Sequence, residues 1–410
     1  MRARLEHAKG MGKDGAKDRE RAPPIHDLVA VLIMLAVFGL VTGYTHPAIA
    51  FNLEARGFSA GLIGAQAACS GLGILVSAVL MPLLARRFGS WRLAVFGLSG
   101  TVVGVLGFGL TENLSLWFVL RFLLGAAVSM LFVVSEVWIN ELTPDRWRGR
   151  VIGIYTATNA GTFACGPLLV PVVGYSGLES FGVMAAAVAL LGLALFRLRT
   201  VARPLEAVPF RVSLRVVAII PLPLLAVVAF GYFDGVTLAL WVPYAFAQGL
   251  DEAAAALSLS AVIMGNVLLQ FPIGWLADRV DRRRLFFLLA VATCAGAALL
   301  PLVDLASTWG LLCLLVWGAA AFGLYTLSLI LIGQRLSGMR LMAATAAFAV
   351  AWGLGGLIGP WITGLLMDGF GPQMLAVALA GIYGLLTLAA LTIAPILAQN
   401  RSRFEQARAP

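Results

Sequence analysis

The chain is poor in what a soluble protein shows to water. Asp, Glu, Lys and Arg make up 12% of its 410 residues, against 60% hydrophobic residues and a mean hydropathy of +0.94. A globule cannot cover itself with so little polar surface, so the solvent of this chain is a lipid bilayer. Histidine is scarcer still, with three in all, which leaves little room for a His-based catalytic centre. Neither a paired catalytic motif at one interface nor a GxxxxGK[ST] loop that would cradle nucleotide phosphates is present. The chain therefore reads as no enzyme and as not driven by ATP. The four cysteines, Cys69, Cys165, Cys294 and Cys313, form no CxxC and stand within apolar runs; they read as packing residues rather than disulfides or metal ligands. No cofactor is implied.

What is abundant is apolar sequence of membrane-spanning length, about 20 residues per crossing. Segments 1 to 6 are expected at 28–52, 60–85, 93–111, 116–140, 151–175 and 178–198, and segments 7 to 12 at 215–247, 254–277, 285–304, 308–333, 341–366 and 373–397. The expected fold is all-α and integral to the membrane, with twelve helices in two six-helix bundles, 28–198 and 215–397. A tail at 1–27 mixes both signs of charge with Gly and Pro and reads as disordered. A basic linker at 199–214 and a short tail at 398–410 complete the chain.

Lys and Arg resist translocation and so report orientation. With the amino terminus in the cytoplasm, 27 of the 29 basic residues fall in cytoplasmic segments, leaving Arg56 in an outer loop and Arg121 inside a helix. Both termini are expected in the cytoplasm and the chain in the inner (plasma) membrane. The net charge of +9 follows from this bias and needs no nucleic acid to explain it.

An internal repeat is the most informative pattern. FGLVTGYT at 38–45 is matched 192 residues later by FGYFDGVT at 230–237, and Gly57 and Gly73 match Gly249 and Gly265 at the same offset. At 193, Gly125 pairs with Gly318 and Gly166-Pro167 with Gly359-Pro360. Two homologous halves, each starting and ending in the cytoplasm, must be related by an axis along the membrane normal.

On these residues the sequence resembles the major facilitator superfamily, over nearly all of 28–397. GWLADRVDRRR at 274–284 is similar to that family's signature loop, here after segment 8. Arg121 with Gly125 resembles the family's pattern in helix 4. Gly161 and Gly166-Pro167 are similar to the Gly-Pro motif of the drug and proton antiporter branch, without its second glycine pair. WFVLRFLLG, the Glu of VVSEVW, RGRVIGIY and Arg86, which stands where the first-half loop would carry an Asp, look like the YcaD-like transporters. The resemblance implies a small-molecule transporter in which the halves rock about a central cavity.

Two readings of GWLADRVDRRR stay open. As a latch, Asp278 is held by Arg282 and Arg283 of its own loop and by the amino end of segment 5 near Arg150, whose dipole attracts an anion. As a plain positive-inside anchor, the loop needs its arginines but not its Asp. In the first half, Arg86 would instead pair with Glu141.

Ionisable groups at membrane depth cost roughly 2.5–3.5 kcal/mol on insertion scales and are functional candidates by default. Asp234 leads a stripe on segment 7 with Thr237, Trp241, Tyr244 and Gln248. It is the first candidate to carry a proton, against a packing role. Segment 4 places Arg121 and Glu136 on one side. Arg121 either faces a substrate or snorkels to headgroups, and Glu136 either serves transport or pairs with Arg146, Arg148 or Arg150. His46 precedes Pro47 in segment 1 and titrates near neutrality when unperturbed. Tyr155 and Asn159, Gln66, Asn266 and Gln270, Tyr325 and Trp352 complete the candidate cavity. The function expected is a proton-driven secondary transporter, acting as a monomer, that exports a small amphipathic or aromatic compound. The alternatives are uptake of a small organic anion held by Arg121 and a non-transporting membrane receptor or assembly protein.

Overall fold

A computed structural model describes residues 24–200, 219–336 and 338–406, without the side chains of 82, 145, 148, 149, 200, 335, 338, 339, 342 and 393–406. The described residues form twelve α-helices and no strand. The first six are α1 (Ile25–Ala55), α2 (Ala60–Phe88), α3 (Ser90–Leu110), α4 (Leu114–Leu142), α5 (Arg148–Val173) and α6 (Gly177–Gly192). The second six are α7 (Pro221–Ala247), α8 (Glu252–Arg279), α9 (Arg282–Leu299), α10 (Thr308–Arg335), α11 (Gly338–Phe370) and α12 (Met374–Gln406). Eleven of them are long and apolar enough to cross a membrane. The twelfth, α5, has 26 residues but carries Thr156, Thr158, Asn159 and Thr162 among its apolar positions.

The twelve expected segments are all found, and several boundaries move for local reasons. α7 starts at Pro221 rather than 215, because Pro221 and Pro223 suit a first turn whose N–H groups have no intrahelical partner. α9 stops at Leu299 and gives way to a 3₁₀ turn around Pro301 instead of continuing to 304. α6 passes at Gly192 into a 3₁₀ stretch, Leu193–Thr200. α1 starts inside the expected tail, at Ile25, and α12 runs on to Gln406 through most of the other. Residues 1–23, the linker positions 201–214, 215–218 and 407–410 lie outside the described residues. Gly57 and Gly249, matched in the repeat, follow α1 and α7 with φ of 75° and 84°. That left-handed turn favours glycine, which explains its recurrence at both places.

With an even number of helices, the start of α1 and the end of α12 share one end of the bundle, the terminal end. α1 packs on α4, α5 and α6, and α7 on α10, α11 and α12. Between these groups run two seams, α2 against α11 and α5 against α8, with α1 touching α7 at the centre. The α2–α11 seam is the most extensive contact in the molecule. Its backbones meet because a Cβ on Gly64 would collide with the Pro360 carbonyl, and one on Gly364 with the Ala60 carbonyl. The far end of both seams is hydrogen-bonded. Gly61 N–H donates to Asp368 Oδ2 (3.0 Å), and the Tyr175 phenol donates to Glu252 Oε1 (2.6 Å). There the Phe51 ring also meets Phe246, with centroids 5.5 Å apart.

Candidate functional site

A cavity of about 30 Å³, room for a water molecule or two, lies where α1, α2, α7 and α11 converge. Thr42 and His46 line it from α1, Ser70 and Gly71 from α2, Asp234 and Leu238 from α7, and Trp352 and Gly356 from α11. The repeat explains part of this list. Thr42 and Asp234 are equivalent positions, and so are His46 and Leu238, one turn further along each helix. Two matched helices therefore present different chemistry to one space: a hydroxyl and an imidazole from α1, a carboxyl and an isobutyl group from α7.

The orientation of His46 is set by its own helix. Its Nδ1 lies 3.0 Å from the Thr42 carbonyl oxygen, and since a carbonyl only accepts, Nδ1 carries the proton. In the neutral ring this leaves Nε2 as an acceptor. The Thr42 hydroxyl is buried without a hydrogen-bond partner, a condition that costs about 1–3 kcal/mol when nothing fills it. Asp234 is 9% exposed and shares the cavity wall with Trp352. Tyr383 of α12 is its titratable neighbour on the other side.

The remaining candidates separate into those near this cavity and those elsewhere. Arg121 is 1% exposed and donates from Nη1 to the Thr45 carbonyl (3.4 Å), within electrostatic reach of His46 and Cys69. It points into the bundle beside α1, so the snorkelling alternative does not hold. Its Nε has no partner, and among the described residues no carboxylate pairs with it. Glu136 lies nearer the terminal end, its carboxyl within electrostatic reach of the Tyr155 and Tyr325 phenols. Arg146 and Arg150, its expected partners, both stack on the Trp147 ring with guanidinium carbons 5.2 Å from its centroid. The side chain of Arg148 lies outside the described residues.

The stripe expected on α7 turns away from the cavity below Asp234. Trp241 donates from Nε1 to Ser258 Oγ of α8 (2.9 Å) and packs on Tyr244 and Trp317, while Thr237 is buried with its hydroxyl unpartnered. The cavity wall uses the other side of the helix, Gly231, Gly235 and Leu238. Gln270 donates to Asn266 Oδ1 (2.5 Å) and accepts from Thr326 Oγ1 (3.0 Å), so these amides serve contacts within α8 and to α10. Tyr155 meets Ser135 Oγ at 3.1 Å, and the side-chain oxygen of Asn159 and the amide nitrogen of Gln66 are buried without partners.

GWLADRVDRRR forms a tight helix-to-helix corner. Arg282 donates from Nε to the Ala277 carbonyl at the end of α8 (3.0 Å) and pairs with Asp278 at 3.4 Å, while Asp281 caps α9 by accepting from Arg284 N–H (2.9 Å). The Asp278 side chain is 76% exposed. The amino end of α5 therefore does not cover it, and of its two expected partners only the one in its own loop is engaged. Arg283 is exposed, as are Arg86 and Glu141 at the terminal ends of α2 and α4. Thr42, Ser70, Asp368, Tyr175 and Glu252 were not singled out by the sequence reading. The 192-residue offset could have found Thr42, since it lies opposite Asp234; nothing in the pattern marks Asp368.

Against family models, the chain matches the one described as Major Facilitator Superfamily over residues 31–243 and again over 224–410. The uncharacterised MFS-type transporter YfkF of Bacillus subtilis is 26% identical over 385 residues, covering 91% of this chain and 95% of its own. The uncharacterised MFS-type transporter YcaD of Escherichia fergusonii is 25% identical over 317 residues, covering 76% and 81%. Two solved structures share the fold. A D-xylose-proton symporter superposes with a TM-score of 0.71 at 14% identity over 90% of this chain and 98% of its own, and the nucleoside transporter NupG with 0.70 at 13% over the same shares.

Proposed function

The chain belongs to the Major Facilitator Superfamily as a multi-pass membrane transporter, and on that premise we propose that it is a proton-coupled exporter whose proton is carried by Asp234. The observation behind this reading is the Asp234 carboxyl, the single one lining the cavity between the two helix groups among the described residues, where each face can reach it in turn as the groups rock. The basic residues clustered at the terminal end support a reading in which that end faces the cytoplasm and the membrane is the inner one. Export is read from Gly166-Pro167 of α5, the pair that resembles the antiporter motif. The structure gives that glycine a packing role as well, since a Cβ on Gly166 would collide with Gly43 of α1. The protein acts as a monomer in this reading.

The test is a panel of small organic solutes offered to purified protein in liposomes with an imposed pH gradient. At least one solute is expected to move protons opposite to its own direction. A panel in which solutes cross without proton movement contradicts the coupling, and one in which none crosses favours a receptor or assembly role. The second transport reading, uptake of a small organic anion, draws on Arg121, a buried guanidinium with which no carboxylate pairs among the described residues.

A further inference from the structure

We propose that the central cavity receives the protonated amine head group of the substrate, held by the Asp234 carboxylate, His46 Nε2 and the Thr42 hydroxyl. This rests on the exporter reading and adds the chemical class of what is exported.

Thr42, His46 and Asp234 bring three polar groups to this space from α1 and α7, beside the Ser70 hydroxyl of α2 and the Trp352 indole of α11. With Asp234 ionised, two of the three are acceptors and only the Thr42 hydroxyl can also donate. Among the described residues no Lys or Arg lines the cavity, and Arg121, within electrostatic reach of His46, is turned to the Thr45 carbonyl, so a carboxylate ligand would meet the Asp234 carboxyl with no cation in contact. An ammonium supplies the missing donors, one each to Asp234 and His46 Nε2, with a third available to the Thr42 oxygen. Thr42 lines this space and is more than nine-tenths buried, and its hydroxyl has no partner among the described residues, which marks a place for a polar ligand atom. Room for one or two waters accommodates a primary ammonium. A quaternary ammonium, bulkier and without N–H donors, satisfies none of the three groups. Ala67, Ile74, Leu238 and Pro360 supply apolar wall around the head group.

The exchange balances. With the Asp234 carboxyl protonated, arrival of an ammonium releases that proton and leaves an ammonium–carboxylate pair; return of a proton from the other face neutralises the carboxylate, breaks the pair and frees the ammonium. One monocation leaves for each proton that enters. The other titratable groups facing this chemistry are Arg121 of α4 beside His46, Cys69 of α2 beside Arg121, and Tyr383 of α12 beside Asp234.

The experiment is calorimetric binding to the purified full-length protein. Ethylamine, 2-phenylethylamine and tryptamine are compared with propionate, 3-phenylpropionate and indole-3-propionate, and with the trimethylated analogue of 2-phenylethylamine. At least one primary amine is expected to bind, with its carboxylate and quaternary counterparts weaker by about tenfold or more. His46→Phe and Thr42→Val should each weaken the amine, His46 more, while Asp234→Glu keeps binding that Asp234→Ala loses. Size-exclusion profiles verify that each variant folds, and His46→Gln, which keeps an acceptor, covers the case where Phe does not. Equal or tighter binding of the carboxylates, binding by none of the amines, or amine affinity indifferent to both His46 substitutions overturns the proposal. Repeating the titration in two buffers of different ionisation enthalpy counts released protons. An amine that binds without releasing protons leaves the head-group site standing and removes the coupling, whereas proton-coupled flux of a solute that is not an amine does the reverse.

Discussion

The two seams between the helix groups are built from equivalent helices and are unequal. α2 meets α11 through Gly61, Gly64 and Gly71 on one side and Gly353, Gly356 and Gly364 on the other. At the matched positions, 192 or 193 residues away, the α5–α8 seam has Ala253, Ala256, Ile263, Ala160, Phe163 and Pro171. Each of these glycines has a residue with a side chain as its counterpart, and the α5–α8 contact is the smaller of the two. The far-end closures differ in the same way. Asp368 accepts from the amino end of α2, where the helix dipole favours a carboxylate. Its counterpart Tyr175 donates to a carboxylate carried by the opposing helix, Glu252. Duplication supplied the positions, and divergence made one seam close-packed and the other adjustable.

The largest effect that would break this contrast is expected from Gly64→Ala. The new methyl would meet the Pro360 carbonyl, costing about 3 kcal/mol or preventing folding. The reverse change in the other seam, Ala256→Gly, should cost about 1 kcal/mol through helix propensity. Thermal midpoints of the purified variants compare the two, and equal losses would mean that the seams are alike. Next comes Asp368→Ala, expected to cost about 1–2 kcal/mol by removing a charge-assisted bond and to raise labelling of a cysteine placed at the far end of the cavity. Glu252→Gln is smaller, about 0.5 kcal/mol or less, because its pair is exposed.

That last pair sharpens the contrast through pH. The bond to Glu252, with some burial, pushes the Tyr175 phenol up to about 12. A phenol that holds its proton more tightly when folded contributes stability below about 10, its ordinary value, which is lost as pH rises through about 12. In Glu252→Gln the phenol should ionise closer to 10, read from tyrosinate absorbance against Tyr175→Phe. Smallest of all is Asp278→Asn, whose exposed i,i+4 pair predicts a stability change within about 0.5 kcal/mol.

Much of this architecture was legible from residue pattern alone. Apolar length found all twelve helices, and the repeat marked Gly57, Gly249 and Gly166, the last of which the structure sets against Gly43. Asp234, His46 and Trp352 line one cavity, while Arg121 and Glu136, equally marked by charge at membrane depth, do not. Which way the α7 stripe points was not legible. That helix is buried on nearly every side, so a polar face on it does not identify the lumen, and Trp241 found its partner in Ser258. The same limit applies to Glu136, where two of the three arginines that spacing suggested, Arg146 and Arg150, stack on the Trp147 ring instead. Asp368 and Glu252 were invisible because their partners lie in the other helix group, a pairing that sequence distance does not encode.

Whether Asp234 carries the proton is tested most directly by solute-driven proton flux in liposomes for Asp234→Asn and Glu136→Gln beside the unaltered protein. Loss of flux in Asp234→Asn with flux retained in Glu136→Gln is the expected result. Flux that survives in Asp234→Asn, and above all flux lost only in Glu136→Gln, would contradict it.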